Sequence, residues 1–331
     1  MLRTIAFIAV GAHFAASSPQ AFAYSVRNHS ELFRSAASFF NECVQRHPQV
    51  IPPYLRPLER QEQILFQCSN IQDQKSIDRL KMWHFYSPKR IPKASVMRLG
   101  ALAVDTRLDT FFAMAERAFE ESNDPGLAYA LVGAAIHYLQ DVTVPSHVIP
   151  IFHPGIFDWH DEFDEYPVQS ELVKADATTC AQWLSDQRSL GTILQDTAQD
   201  TLDSLHGPTN AFQGRLLSWE MFWKPGVDVD GFGKYGCFGD NFGSADLSCA
   251  GKAFRMSSHL YAAFARARHR MAVRSTVAAM AAVQRKTSTS TCACVSSKCP
   301  FPGRGSDGEI AIAWCSPEVN TKATDGAVAC Q

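Results

Sequence analysis

His137-Tyr-Leu-Gln-Asp141-Val-Thr-Val-Pro145-Ser-His147, followed by His160-Asp-Glu-Phe-Asp164, is the stretch on which the reading of this chain turns. His137 and Asp141 stand at i and i+4, so on a helix their side chains project from one face about 6 Å apart. His160 and Asp164 repeat that spacing. Pro145 ends the first helix, because a helix interior tolerates neither its missing N–H nor its ring, and the turn that follows swings His147 back toward the same place. A lone His-x-x-x-Asp pair is ordinarily a surface hydrogen bond or a satisfied core histidine. Two such pairs with a further histidine between them read instead as one half of a buried multi-metal site. Gly133, with Ala130 and Ala134 beside it, lies one turn before His137 and lines that helix face with small residues. Such a face either leaves room beside the ligands or lets another helix approach closely.

The rest of the chain bounds the answer. With 331 residues, 46% of them hydrophobic, it is long enough for one large domain and a small appendage. A net charge of −2 offers no basic stripe for nucleic acid. It does not exclude catalysis on phosphate esters, since metal ions supply positive charge locally.

Residues 1–23 read as an export signal. Arg3 gives a positive start, residues 5–14 a short apolar run, and Ala21-Phe22-Ala23 a cleavage site, so the mature chain is expected to begin at Tyr24. No later segment reaches the ~20 unbroken apolar residues of a membrane span. A secreted or periplasmic protein with no transmembrane anchor is expected. All ten cysteines lie beyond the signal, which suits disulfides in an oxidising compartment. Five fall near the C-terminus: Cys292, Cys294, Cys299, Cys315 and Cys330. Their spacing is wrong for a common zinc knuckle, so residues 286–331 are expected to form a small disulfide-rich appendage.

Helical periodicity predicts an all-α protein. Residues 30–45, 94–121, 127–141, 171–186, 192–205 and 252–284 carry it, with the Asn123-Asp-Pro-Gly126 turn separating the second and third as an antiparallel pair. Residues 226–248, rich in glycine and aromatics, read as a surface or lid loop. Asp228-Val-Asp230-Gly231 within it lacks the ligand spacing of a calcium loop. Upstream, His84 sits in Trp83-His-Phe-Tyr86 after Asp73 and Asp78, and His29 lies close behind Tyr24.

With these landmarks placed, residues 137–147 resemble the H-Y-x-x-D-x-x-x-P-x-H signature of bacterial zinc-dependent phospholipases C, whose fold and site are shared with the single-strand-specific zinc nucleases of fungi and plants. The remaining landmarks follow in that family's order. Tyr24 and His29 match its N-terminal aromatic and first histidine, Asp73 and His84 its Asp and His-Phe-Tyr, and His160 and Asp164 its last His and carboxylate. The resemblance covers residues 24–284 and implies a multi-helix bundle holding three zinc ions. Asp73, His84, His137 and Asp141 would hold one zinc. The amine and carbonyl of Tyr24, with His29 and a bridging Asp141, would hold a second, and His147, His160 and Asp164 a third. Departures are Tyr24 where Trp is usual, Gln140 where Gly or Thr is usual, Ile151 where Asn is usual, and Asp164, which is closer to the nuclease form. Asp78 is the alternative to Asp73, and His153 to His147.

What the resemblance implies is a zinc-dependent phosphodiesterase in residues 24–285, with Asp73 orienting or deprotonating the attacking water. A phospholipase C acting as a monomer on phospholipid at a membrane surface is expected. A single-strand nuclease binding nucleic acid is the alternative, and an exported metal-binding or structural protein without catalysis is the second alternative.

Overall fold

The computed structural model describes residues 25–73, 84–86, 88, 96–99, 102–105, 108–151, 161–169, 172–206, 208–212, 215–226, 233–288, 294–297, 299 and 312–315. Its centre is a helix that is apolar on every side. Pro125–Asp141 is buried at every position except Leu127. A helix without a polar face needs neighbours all around it. Asp124 starts it: the carboxylate accepts from Gly126 N–H at 2.9 Å and Leu127 N–H at 3.4 Å, and Pro125 occupies the first turn, where no N–H is needed.

In chain order the helices are α1 (Val26–Arg46), α2 (Glu59–Asn70), α3 (Leu108–Glu121), α4 (Pro125–Asp141), α5 (Pro145–Val148), α6 (Ala177–Leu184), α7 (Leu190–His206) and α8 (Ser258–Thr287). Helices α2, α3 and α8 pack directly on α4, while α1, α6 and α7 pack on α8. The fold is therefore mostly helical, as the periodicity predicts. Among the described residues no helix is long and apolar enough to cross a membrane.

Among the described residues, strands occur only as two-stranded antiparallel pairs: β1 (Val96–Leu99) with β2 (Leu102–Asp105), β3 (Pro208–Phe212) with β4 (Arg215–Ser218), β5 (Trp223–Lys224) with β6 (Lys234–Tyr235), β7 (Asp246–Cys249) with β8 (Lys252–Arg255), and β9 (Cys294–Ser297) with β10 (Ile312–Cys315). These correct several expected boundaries. Residues 96–99 and 102–105 are not helical: they pair as antiparallel strands from Val96–Asp105 to Leu99–Leu102, and Val96 and Val104 favour a strand. Residues 252–255 likewise pair as β8, so α8 starts at Ser258, and Asp176 delays α6 by capping Thr179 N–H at 2.9 Å. Periodicity missed α2 altogether. The 226–248 loop contains β6 and the start of β7, and its Asp228 and Asp230 lie outside the described residues, as do residues 1–24 with the export signal.

The small-residue face of α4 turns out to hold a helix. A Cβ on Gly133 would stand 2.8 Å from both the Cys68 Cβ and the Leu65 carbonyl, so only glycine lets α2 come this close. Against the other end of the bundle lies a layer of aromatic side chains. Trp219 meets Phe264 at 4.2 Å between ring centroids, Phe242 meets Tyr261 at 4.7 Å, and Phe163 meets Phe242 at 5.0 Å. Each such pair adds about 0.5–1.5 kcal/mol beyond burial of its area. This layer clamps the turn that carries Asp161 and Asp164.

Among the described residues three disulfides fasten the arrangement: Cys43–Cys180 joins α1 to α6, Cys68–Cys299 joins α2 to the C-terminal segment, and Cys237–Cys249 closes a short loop. Cys299 is therefore a structural half-cystine, as an oxidising compartment suggests. The Cys43–Cys180 bond closes a loop of sequence separation 137. Replacing both cysteines by serine is expected to lower unfolding free energy by about 3–5 kcal/mol, in line with loss of a long-loop disulfide. Chemical denaturation beside the wild type measures it; an unchanged midpoint would show that helix packing alone sets the α1–α6 contact.

Candidate metal centre

The last turn of α4 and the kink after it explain how the side chains gather. Val142 N–H closes on Tyr138 O at 3.1 Å, Thr143 N–H on Gln140 O at 3.0 Å, and Val144 N–H on Asp141 O at 2.9 Å, so the tightened end of the helix satisfies its own carbonyls. Val144 must be extended because a proline follows, and Pro145 then starts α5 in a new direction. His147, on α5, is thereby turned back toward the segment 84–86. Its Nδ1 lies 2.6 Å from the His84 carbonyl, and Tyr86 N–H donates to the His147 carbonyl at 2.9 Å. A carbonyl only accepts, so His147 carries its proton on Nδ1 and presents Nε2 elsewhere.

Asp141 is the hub. Its Oδ1 lies 3.2 Å from His29 Nε2 on α1, and its Oδ2 lies 2.9 Å from His84 Nδ1 and 3.5 Å from His137 Nε2. His84 Nδ1 and His137 Nε2 are 3.1 Å apart. The His29 ring stacks on His137 with centroids 4.1 Å apart, and His84 meets His137 edge-on at 4.8 Å. Apart from His84, at 8% exposure, these side chains have no solvent-accessible surface. One ligand atom from each of His29, His137 and Asp141 falls within 4.8 Å of the others.

Those distances can be compared with what zinc requires. Zinc–nitrogen bonds of about 2.0–2.1 Å in a tetrahedron put neighbouring donor atoms about 3.3 Å apart. The His84–His137–Asp141 triangle, with edges of 2.9, 3.1 and 3.5 Å, matches that separation. Imidazole nitrogen and carboxylate oxygen are donors zinc accepts, and the residues present therefore fit such an ion.

Each ligand-bearing element is braced from behind. Tyr138 sets its ring against both His84 and His137, and its hydroxyl donates to Gln72 Oε1 at 3.1 Å. Gln72 in turn donates to the Cys68 carbonyl at 3.1 Å, which ties the histidines to α2 and its disulfide. His29 Nδ1 lies 2.6 Å from Gln140 Oε1.

Asp164 is tied to the start of α1. Ser25 N–H donates to its carbonyl at 3.1 Å and Asn28 Nδ2 donates there at 2.8 Å, so the start of α1 is pinned beside it. Burial pushes the Asp164 carboxyl well above the usual carboxylate range, and the carboxylates of Asp161, Asp141, Glu165 and Asp240 push it the same way. A divalent cation would reverse both effects.

The structure thus brings together His29, His84, His137 and Asp141, with His147 against His84 and Asp164 within electrostatic reach of Asp141. Tyr24 and His160 lie outside the described residues, as do Asp78 and His153; Asp73 ends the turn Ile71–Asp73, and its side chain lies outside them too. Sequence reasoning missed Asp161, fully buried and accepting from Trp223 Nε1 at 2.8 Å, because it lacks the i, i+4 spacing from His160 that singles out Asp164. It also missed His269, fully buried on α8 and held down to about 3 by that burial, hence neutral. Gln140, taken only as a departure from the signature, is part of the site.

No protein-family model matches this chain, and no curated protein matches it. Among solved structures it is similar to the crystal structure of Clostridium perfringens alpha-toxin isolated from avian strain SWCP, at 15% identity and a TM-score of 0.44. That similarity covers 79% of this chain and 64% of the toxin chain, so this chain spans less than two thirds of the length of the structure it matches.

The raised Asp164 sets a pH dependence whose sign can be worked out. Without metal the folded chain holds a proton that the unfolded chain has released, so stability is fullest in acid and falls as pH rises through the raised value. In chelator-treated protein, Asp164→Asn is therefore expected to raise the denaturation midpoint near neutral pH and to leave it unchanged in mild acid. An equal effect at both would show that Asp164 is ionised throughout.

Proposed function

We propose that this protein is an exported zinc-dependent phosphodiesterase that acts as a monomer. The observation that carries this is the Asp141 carboxylate, buried among three imidazoles delivered by separate parts of the chain. Imidazole nitrogens from three parts of the chain, gathered on one buried carboxylate, are a donor set that zinc accepts. The exported origin is supported by the three disulfides and by the sequence of residues 1–23.

In this reading His84, His137 and Asp141, with Asp73, hold one zinc. His29, Asp141 and the α-amine and carbonyl of Tyr24 hold a second, and His147, His160 and Asp164 a third. When bound, zinc supplies positive charge for phosphoryl oxygens and lowers the pKa of water toward neutrality. The chain's own groups do the rest. Asp141 Oδ1 faces His29 and its Oδ2 faces His84, so this one carboxylate would contribute to holding both ions. Asp164, costly as an anion among buried and acidic neighbours, would keep its charge beside a cation. Asp73 orients the attacking water and takes its proton.

The substrate proposed is a phosphatidylcholine-like phospholipid, cleaved at the glycerol–phosphate ester. Its support is the resemblance of the segment around His84 to the phospholipase form, together with a net charge of −2, which gives the chain no excess of basic residues for nucleic acid. Diacylglycerol release from phosphatidylcholine vesicles, run beside digestion of single-stranded DNA, separates the two enzymatic readings. His137→Ala and Asp141→Asn are expected to reduce lipid hydrolysis to background and to lower bound zinc. Full activity in both would refute the site; DNA cleavage without lipid cleavage would favour the nuclease; tightly bound zinc with neither activity would favour the metal-binding alternative.

A free amine at Tyr24 requires removal of residues 1–23. Mass spectrometry of the exported chain is expected to give a start at Tyr24, and an extra residue placed before it is expected to lower bound zinc by one ion. Full zinc content and activity in the extended form would remove the amine from the ligand set.

A further inference from the structure

Gln140 is a fully buried amide in a helix that is otherwise almost wholly apolar. Burying an amide is unfavourable unless both of its ends are bonded. Here both are: Oε1 lies 2.6 Å from His29 Nδ1, and Nε2 donates to Thr276 Oγ1 at 3.2 Å. Thr276 is itself fully buried on α8. The amide therefore spans the bundle, with α1 on one side and α8 on the other. We infer that Gln140 is a positioning residue for the metal centre, fixing His29 in the Nδ1–H tautomer so that Nε2 faces Asp141 and the ion.

The argument runs through hydrogen-bond polarity. An imidazole that donates from Nδ1 to an amide oxygen keeps its lone pair on Nε2, the atom standing 3.2 Å from Asp141 Oδ1. Were the tautomer reversed, Nε2 would carry a proton aimed at that carboxylate and could not bind metal. Thr276 anchors the amide by accepting from its NH2 group, which turns the oxygen toward His29. His147 solves the same problem with a backbone carbonyl, through its 2.6 Å contact to His84 O. His29 sits on a helix whose own carbonyls are engaged, so it needs a side chain for the purpose, and position 140 is where α4 can offer one. The residue that departs from the motif is thus accounted for by what it touches. Partners of this kind that hold a metal-ligating histidine typically change metal affinity 10- to 100-fold when removed.

This role rests on the proposed zinc site, and the test distinguishes the two. In chelator-stripped full-length protein at mildly alkaline pH, nitrogen NMR of the imidazoles is expected to place the His29 proton on Nδ1. Gln140→Leu, close in volume but without an acceptor, is expected to shift that signal toward the other tautomer and to weaken zinc by about 10- to 100-fold in chelator competition. Gln140→Glu keeps an acceptor and is expected to restore both. A wild-type His29 protonated on Nε2, or a zinc affinity of Gln140→Leu within about twofold of wild type, overturns the role. If Gln140→Leu does not fold, the wild-type tautomer and the Gln140→Glu affinity decide. His29→Ala separates the levels: zinc lost there but unchanged in Gln140→Leu refutes the positioning role alone, whereas zinc fully kept in His29→Ala refutes the ligand assignment and the positioning role together.

Discussion

A carboxylate with no exposure at the C-terminal end of a central helix is the constraint on which this structure depends. Asp141 is the last residue of α4, where the helix dipole is already negative, so burial and dipole both oppose its charge. A charge so placed persists only with close partners. His29 comes from α1, His84 from the segment before the β1–β2 hairpin, and His137 from the preceding turn of α4 itself. Satisfying one carboxylate thus fixes the relative positions of α1, α4 and residues 84–86, and much of the remaining architecture holds those three in register.

The supports follow from that demand. Gly133 lets α2 lie against α4, which brings Gln72 within reach of Tyr138 and so braces two histidines from behind. The Cys68–Cys299 bond fastens α2 to the C-terminal segment, and Cys43–Cys180 fastens α1 to α6. Rigid supports are what a metal centre needs, since ligands held within a few tenths of an ångström lose little entropy on binding. The same small-residue face that might have walled a cavity serves instead to stiffen the site.

Residues 137–147 were legible because their chemistry is local. The i, i+4 spacing and the proline decide helix, kink and return without help from distant segments, and the structure has α4 ending at Asp141 and α5 beginning at Pro145. His29 and His84 were legible only through their order in the chain. Gln140 was not, because its partners lie 111 and 136 residues away and nothing in its own neighbourhood names them. Strands β1 and β2 are hidden for a related reason: their apolar residues fit a helical period as well as a strand, and only pairing decides. Helix α2 is charged and glutamine-rich on its outer face, so its apolar positions were too sparse to stand out, although Ile64, Leu65 and Cys68 are buried.

Two aspartates in one turn show how environment divides labour between identical side chains. Asp161 accepts from Phe163 N–H at 2.9 Å, Trp223 Nε1 at 2.8 Å and the Tyr235 hydroxyl at 3.3 Å, and these donors make it a fastening between the turn and the β5–β6 hairpin. The Tyr235 hydroxyl is correspondingly hard to ionise, since burial and the carboxylate of Asp161 both favour its neutral form. Asp164, on the same turn, is held well above the usual carboxylate range: burial and neighbouring carboxylates favour its protonated form. A fold that uses one carboxylate to anchor the turn and leaves the other energetically poised beside Asp141 has separated structure from chemistry within a single motif. In the proposed metal-bound form the cost of ionising Asp164 becomes affinity, because the charge that burial and its acidic neighbours disfavour is the charge a cation attracts.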